Sequence, residues 1–183
     1  MLNRFFALFL LVLFSPIFLI VAILILFEDG WPVFFQQKRI GMNYIYFQIF
    51  KFRTMKNNTP NVATHLLVNP EQHLLKIGGF LRKLSLDELP NLINIIKGEM
   101  VFVGPRPALY NQEDLMALRV EARVDQLKPG ITGWAQINGR DEISIEEKIA
   151  LEKQYLEKKS FLFDIKIILR TFTSVLLAKG VKH

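Results

Sequence analysis

Cysteine is absent from the 183 residues, which removes disulfides, thiolate zinc sites and cysteine nucleophiles from consideration. Histidine is scarce: His65, His73 and His183 share no i, i+4 spacing and no carboxylate-rich grouping of the kind a zinc cage needs. Charge is missing over one long stretch, since no Asp, Glu, Lys or Arg falls between Phe5 and Phe27. No internal repeat, low-complexity tract or interdomain linker divides the chain, and its length suits one domain with a real core.

What is present is apolar and basic. Hydrophobic residues make up 51% and the mean hydropathy is +0.25, high for a soluble domain, so part of the apolar surface is expected to meet lipid. A net charge of +6 admits nucleic acid, an anionic membrane surface or an anionic small substrate as partner. No aromatic-basic platform or recognition-helix pattern supports nucleic acid, which is therefore set aside.

The uncharged run from Phe5 to Phe27 is 23 residues long. As helix it would reach about 35 Å, enough to cross a hydrocarbon core of roughly 30 Å. A cleavable leader fits poorly, because the run exceeds an h-region and leads into Glu28-Asp29-Gly30-Trp31-Pro32 with no small-x-small site. Ser15-Pro16 lies near its middle. Pro16 removes a backbone donor, so a kink is expected, and the Ser15 hydroxyl can serve the freed carbonyl. A kinked helix can still span, or it can enter and return to the same face. Lys38, Arg39, Lys51, Arg53 and Lys56 follow the run and place the next domain in the cytoplasm either way.

Beyond it, short extended runs at Val33–Gln37 and Tyr44–Phe52 flank the turn signal Gly41-Met42-Asn43 and predict a hairpin or two short strands. Residues 55–70 read as a polar loop, and 71–84 as a helical pattern interrupted by Gly78-Gly79. A helix opening at Ser85-Leu86-Asp87-Glu88 is expected to run to Lys97 and stop at Gly98, followed by a strand at Val101-Phe102-Val103. A half-exposed helix over 111–127, a Gly-punctuated loop over 131–140, and helices over 145–158 and roughly 161–178 complete the chain. The last is apolar around most of its circumference, as expected of a helix packed under the domain or lying in a lipid interface.

Four stretches carry chemistry. Asp87-Glu88 is the most informative: one carboxylate can act as a nucleophile while the second ligates a cation or manages protons. A helix N-terminus would favour the ionised forms, although Ser85-x-x-Glu88 also reads simply as a capping box. Pro90 would then fall where a donor is used, so the first turn must be irregular or start later. Val103-Gly104-Pro105-Arg106-Pro107 holds Arg106 on a stiff backbone suited to phosphate, or forms an ordinary rigid turn. Lys51 and Arg53, two apart, fall on one side of an extended run and suit a phosphate or lipid headgroups, or simply face solvent. The loop with Gly133, Trp134, Gln136 and Arg140 could close over a uracil or a sugar, or bury one Trp.

In order, these pieces resemble the monotopic phosphoglycosyl transferases, the bacterial sugar transferase family. The residues that carry the resemblance are Leu13-Phe14-Ser15-Pro16, Phe35-x-Gln37-x-Arg39-x-Gly41, Phe50-Lys51-Phe52-Arg53-Thr54-Met55, Leu84-Ser85-Leu86-Asp87-Glu88-Leu89-Pro90, Asn94-x-x-Lys97-Gly98-Glu99-Met100, Val103-Gly104-Pro105-Arg106-Pro107 and Lys128-Pro129-Gly130-Ile131-Thr132-Gly133-Trp134-Ala135-Gln136. The resemblance implies an α+β fold: a re-entrant membrane helix over 1–30 and a small mixed α/β catalytic core with short strands and amphipathic interfacial helices over 31–183. It implies transfer of a sugar-1-phosphate from a UDP-sugar, expected to be N-acetylated, to polyprenyl (undecaprenyl) phosphate. Asp87 matches the nucleophile, Glu88 the second acid, Asp87 and Glu88 together the Mg²⁺ contacts, Arg106 the phosphate-binding arginine, and Ser15-Pro16 the helix break. The expected setting is the bacterial inner membrane, with the catalytic domain on the cytoplasmic face and lipids as partners; a homodimer is a further arrangement to test. The start, Met1-Leu2-Asn3-Arg4, departs from the Lys-Arg pair and acid that commonly open such chains, and the chain resembles the family's small members. A catalytically silent scaffold binding nucleotide sugar or lipid is the alternative, and the intact acid pair argues against it.

Overall fold

The computed structural model describes residues 1–60, 69–139 and 143–176. Helices α1 (Leu2–Leu13) and α2 (Ser15–Asp29) meet at a bend of 60°. No single described helix is long and apolar enough to cross a membrane, but this bent pair passes that test together. Pro16 has no N–H for the carbonyl of Val12, four residues back. The Ser15 hydroxyl donates to that carbonyl at 2.7 Å, as the sequence led one to expect.

Both ends of the pair rest on the same globular body. Near the start of α1, the Arg4 guanidinium donates to the Lys97 carbonyl at 3.4 Å. At the end of α2, Asp29 pairs with Arg53 and accepts from the Asn57 amide at 2.8 Å, while Glu28 accepts from the Lys76 amide at 2.6 Å. Between these anchors Phe5, Phe9, Val12, Leu19 and Ile20 are exposed, whereas Ala7, Val21 and Ile25 are buried in two core clusters.

The predicted hairpin forms as β1 (Phe34–Ile40) and β2 (Tyr46–Phe52), antiparallel from Phe34↔Phe52 to Ile40↔Tyr46. Asn43 and Tyr44 take positive φ at its tip. β4 (Ala108–Leu109) pairs antiparallel with β1, giving the order β2-β1-β4. β3 (Val101–Val103) and β5 (Gly130–Thr132) form a separate parallel pair.

Around these lie α3 (Gly78–Lys83), α4 (Asn91–Lys97), α5 (Glu113–Glu121), α6 (Trp134–Asn138), α7 (Ile145–Lys158) and α8 (Phe161–Leu176). The strands are short and the fold mixes α and β, in line with the class expected. α7 opens on a capping box, with the Glu147 amide donating to Ser144 Oγ at 3.1 Å and the Ser144 amide to Glu147 Oε2 at 3.1 Å. α8 buries Ile167 and leaves Phe161, Leu162, Leu169 and Phe172 exposed, so its apolar surface exceeds what the core takes up.

Several local expectations are corrected. The helix expected from Ser85 starts at Asn91, because Ser85 sits in the left-handed region at φ 55° and residues 86–88 form a single 3-10 turn. Pro90 then occupies the N-cap, where its missing donor costs nothing. The helix expected over 111–127 breaks at Arg123, φ 58°, into α5 and a 3-10 turn at 124–126. The loop expected over 131–140 is instead the end of β5 followed by α6.

Candidate active site

Asn94 sets the geometry around the acid pair. It is fully buried on α4, and its Oδ1 accepts from the Phe50 amide at 3.1 Å. Its Nδ2 donates to the Gln48 carbonyl and to Glu99 Oε2, both at 2.7 Å. One side chain thus pins α4 to β2. The turn carrying Asp87 and Glu88 leads into α4, so it is held against the strand carrying Lys51. Lys51 Nζ lies 2.6 Å from Glu88 Oε1, and Arg106 Nη1 lies 4.0 Å from the same oxygen.

Arg106 arrives on a clamped backbone. Arg119 Nη2 donates to the Arg106 carbonyl at 2.9 Å, and Arg39 Nη1 donates to the Pro107 carbonyl at 3.1 Å. Arg119 is itself held by Glu152 of α7 through two bonds, at 2.8 and 2.5 Å, both side chains being nearly inaccessible. Gly133 touches the same turn. A β-carbon there would overlap the Gly104 carbonyl oxygen and crowd Gln136 Oε1, so only glycine allows this approach. Gly104 in turn packs against the Lys128 carbonyl with no room for a side chain.

Beside these groups lies a shallow, open cleft whose polar lining is Arg39, Lys51, Glu88, Asn91, Arg106 and Gln136. Ile49, Met100 and Ile131 supply apolar wall. Glu88, rather than Asp87, faces this cleft. Asp87 is largely buried beside it, and burial pushes its carboxyl up to about 6; Lys51 and Arg82 work against that rise and Glu88 adds to it. The dipole-stabilised, readily ionised acid expected at a helix N-terminus is therefore not what forms. Asp87 precedes α4 in an irregular turn, and loss of solvation dominates. Burial also lowers the Arg39 guanidinium to about 10, with Arg106 adding to the fall and Glu88 opposing it, so Arg39 stays cationic at neutral pH.

The sequence-predicted residues divide. Lys51, Glu88, Arg106 and Gln136 line the cleft, and Asp87 and Gly133 adjoin it. Arg53 is not brought there. β2 ends at Phe52, so strand alternation no longer aligns Arg53 with Lys51, and all five of its donors are spent on its own chain. Nε bonds the Pro32 carbonyl at 2.6 Å, Nη1 bonds Asp29 Oδ2 and the Met55 carbonyl, and Nη2 bonds the carbonyls of Asp29 and Gly30. Arg53 braces the N-terminal helix pair and has no donor left for a phosphate. Trp134 also turns away, its ring 5.0 Å from Phe163 and its Nε1 donating to Gln154 at 3.2 Å, with Arg170 over its face at 5.5 Å. It packs α6 against α7 and α8. Arg140 lies outside the described residues.

Sequence reasoning assigned no role to Arg39, Asn91, Asn94 or the Arg119–Glu152 pair. Arg39 lay within a family-like motif, but nothing in a single sequence says which polar residue ends up buried against a cleft. Among the described residues, no three acids or histidines gather to hold a metal. The adjacent carboxylates of Asp87 and Glu88 nonetheless suit Mg²⁺, which takes one or two protein carboxylates and completes its shell with substrate phosphates and water. A carboxyl raised by burial and by a neighbouring acid is also one that a cation would return to its ionised form.

Comparison with known proteins shows the family to which the chain belongs. The family described as Bacterial sugar transferase matches residues 1–178. An uncharacterized sugar transferase, EpsL, of Bacillus subtilis is 42% identical over 97% of this chain and 86% of its own length. The exopolysaccharide production protein ExoY of Rhizobium meliloti is 40% identical over 93% of this chain and 81% of its own length. The UDP-glucose:undecaprenyl-phosphate glucose-1-phosphate transferase of Escherichia coli is 38% identical over 88% of this chain, which corresponds to 36% of that longer protein.

Proposed function

This chain is a phosphoglycosyl transferase of the bacterial sugar transferase family, and on that premise we propose that it moves a sugar-1-phosphate from a UDP-sugar to undecaprenyl phosphate through a covalent intermediate on Asp87. The observation that carries the reading is the meeting of Glu88, the neighbour of Asp87, with Lys51 and Arg106, which two other segments bring to within 4.0 Å of one Glu88 oxygen. Two relatives are named for transfer of glucose-1-phosphate from UDP-glucose to undecaprenyl phosphate, which supports the same class of donor and acceptor here.

The Asp87 carboxylate attacks the β-phosphorus of the UDP-sugar. The bond from that phosphorus to the oxygen bridging it to the α-phosphate breaks, and UMP leaves with the electron pair. The sugar-phosphate remains on Asp87 as an acyl phosphate. A phosphate oxygen of the polyprenyl acceptor then attacks the same phosphorus and releases Asp87, giving the polyprenyl-diphosphate sugar. The donor's diphosphate is anionic, so an anionic nucleophile approaches only where that charge is offset. Lys51, Arg106 and Arg39 supply three cations around the cleft. Mg²⁺, held by Asp87 and Glu88, would contribute further neutralisation of the diphosphate. Glu88, already paired with Lys51, keeps that lysine aimed at the cleft.

The helix pair is re-entrant on this reading, with both ends at the cytoplasmic face of the inner membrane. What supports it is the 60° bend together with the contacts of Arg4 and Asp29, at opposite ends, on one globular body. Such an anchor holds the cleft near the headgroups, where a phosphate on a long lipid can reach it, and the exposed apolar face of α8 suits the same interface. UMP release from a panel of UDP-sugars, N-acetylated ones included, with undecaprenyl phosphate and Mg²⁺ tests the proposal. Wild type should release UMP from at least one donor, and Asp87→Asn should lose at least a thousandfold in rate; undiminished turnover by Asp87→Asn would refute the covalent route.

A further inference from the structure

Three of the side chains that line the cleft each carry a buried polar atom without a hydrogen-bond partner: Arg39 Nε, Asn91 Oδ1 and Gln136 Oε1. Buried polar groups are normally paired, and an unpaired acceptor carries a desolvation cost that a bound ligand can relieve. The three side chains come from three different elements, β1, α4 and α6, and all line one cleft. Asn91 is 1% exposed, so bulk water does not serve it. Gln136 is fixed in orientation, because its Nε2 donates to the Ile131 carbonyl at 3.0 Å and leaves Oε1 as the open atom. Arg39 is held by its outer nitrogens on the Pro107 carbonyl and on Gln37 Oε1, which leaves Nε as its open donor.

The chemistry of the open atoms narrows the ligand. Two are amide oxygens and accept only, so they need two donor hydrogens from whatever binds. A diphosphate at neutral pH offers none. A uracil ring offers one N–H. A polyhydroxylated ring offers several, and its hydroxyl oxygens also accept from a donor such as Arg39 Nε. The shared chemistry is therefore a pair of ring hydroxyls, from the transferred sugar or from the ribose. Position favours the sugar, because Glu88 and Lys51 line the same cleft and the phosphate under attack is the one that bears it.

We propose that Asn91 and Gln136, with Arg39, form the subsite that reads the hydroxyls of the transferred sugar and so sets donor selectivity. The inference rests on the transferase reading for the identity of the donor, but its test reads binding separately from turnover. The full chain is compared with Asn91→Leu and Gln136→Met by calorimetric titration of UMP and of UDP-hexoses differing at single hydroxyls, alongside UMP release. Each variant should bind UMP within twofold of wild type. Affinity for the preferred UDP-hexose should fall roughly five- to tenfold per lost hydrogen bond, and the preference between epimers should flatten.

A parallel loss for UMP would put the ribose or uracil at these acceptors and overturn the proposal. So would unchanged affinity, or an equal loss for every hexose with the epimer preference intact. Thermal unfolding without ligand gives a second reading. Removing an orphan acceptor should leave Asn91→Leu melting at or above the wild-type temperature, and Gln136→Met lower by no more than its lost bond to the Ile131 carbonyl costs, whereas marked destabilisation by Asn91→Leu would make that amide structural. Hexose-selective binding without any UMP release would sink the transferase reading and leave this one standing. UMP release with no hexose preference in binding would do the reverse.

Discussion

At the scale of single residues, Asp87 gives the sharpest test of the electrostatics. A carboxyl with a folded pKa near 6, above its usual value of 3.8, binds its proton more tightly in the folded protein. Stability from this group is greatest below the unfolded value, declines as pH rises from about 4 to about 6, and levels off above. Asp87→Asn in metal-free buffer should therefore stabilise the protein at pH 7–8, by about 1–2 kcal/mol after allowing for the carboxyl's partial exposure, and hardly at all near pH 4. Unfolding curves at the two pH values check this, and equal effects at both would contradict it. Mg²⁺ should raise the wild-type melting temperature more at pH 7.5 than at pH 4.5 if the acid pair holds it, and Asp87→Asn should shrink that gain. Gly133→Ala is expected to disturb the Gly104 turn, with UMP release falling at least tenfold, because its β-carbon meets a backbone oxygen that cannot swing aside. Much of this was legible in the sequence. The acid pair, Lys51, Arg106 and Gln136 were all singled out, and four of those five line one cleft. Arg53 was misread because alternation holds only while the strand lasts, and Asn91 went unnoticed because an open acceptor is a fact of packing.

Elements carry the site through contacts remote in sequence. Asn94→Ala leaves the Phe50 amide and the Gln48 carbonyl without their partners and removes the link between α4 and β2. The expected cost is about 2–4 kcal/mol, seen as a lower unfolding midpoint, with activity falling further than stability alone explains as Glu88 drifts from Lys51. A midpoint within experimental scatter of wild type would show that α4 is located by its apolar face instead. The helix break was readable because Pro16 and Ser15 act locally: a missing donor and a hydroxyl that meets the freed carbonyl. The hairpin was readable for the same reason, its turn residues lying between two apolar runs. The start of α4 was not, since Ser85-x-x-Glu88 has the letters of a capping box while Ser85 adopts a left-handed backbone that cannot cap. The box that forms, Ser144 with Glu147, has the same letters and an extended cap residue, φ −62° and ψ 164°. The pairing of β3 with β5, 29 residues on, is set by the crossing of Gly104 and Gly130, which no local pattern announces.

Across the whole molecule, the N-terminal helix pair and the globular body share their core. Ala7 packs with Leu92, Ile95 and Met100, and Val21 and Ile25 pack with Phe52, Leu75 and Leu81. Removing residues 1–30 should therefore uncover two core clusters, one of them next to the acid pair, and yield aggregated, inactive protein on size exclusion. A monomeric, active fragment would mean that the helix pair only tethers. Topology can be read cleanly because the chain has no cysteine of its own, so Asn3→Cys introduces the only thiol. A re-entrant pair predicts that a membrane-impermeant maleimide labels it only after the cytoplasmic face is opened, whereas labelling from outside intact cells would make the pair a span. The central claim, a phospho-sugar carried on Asp87, is tested most directly by mixing the enzyme with its UDP-sugar without lipid acceptor, quenching rapidly and mapping the peptides by mass spectrometry. The account predicts one added sugar-phosphate mass on the peptide carrying Asp87, discharged when undecaprenyl phosphate is supplied. An adduct on another residue, or no adduct from an enzyme that turns over normally once the acceptor is added, would contradict it.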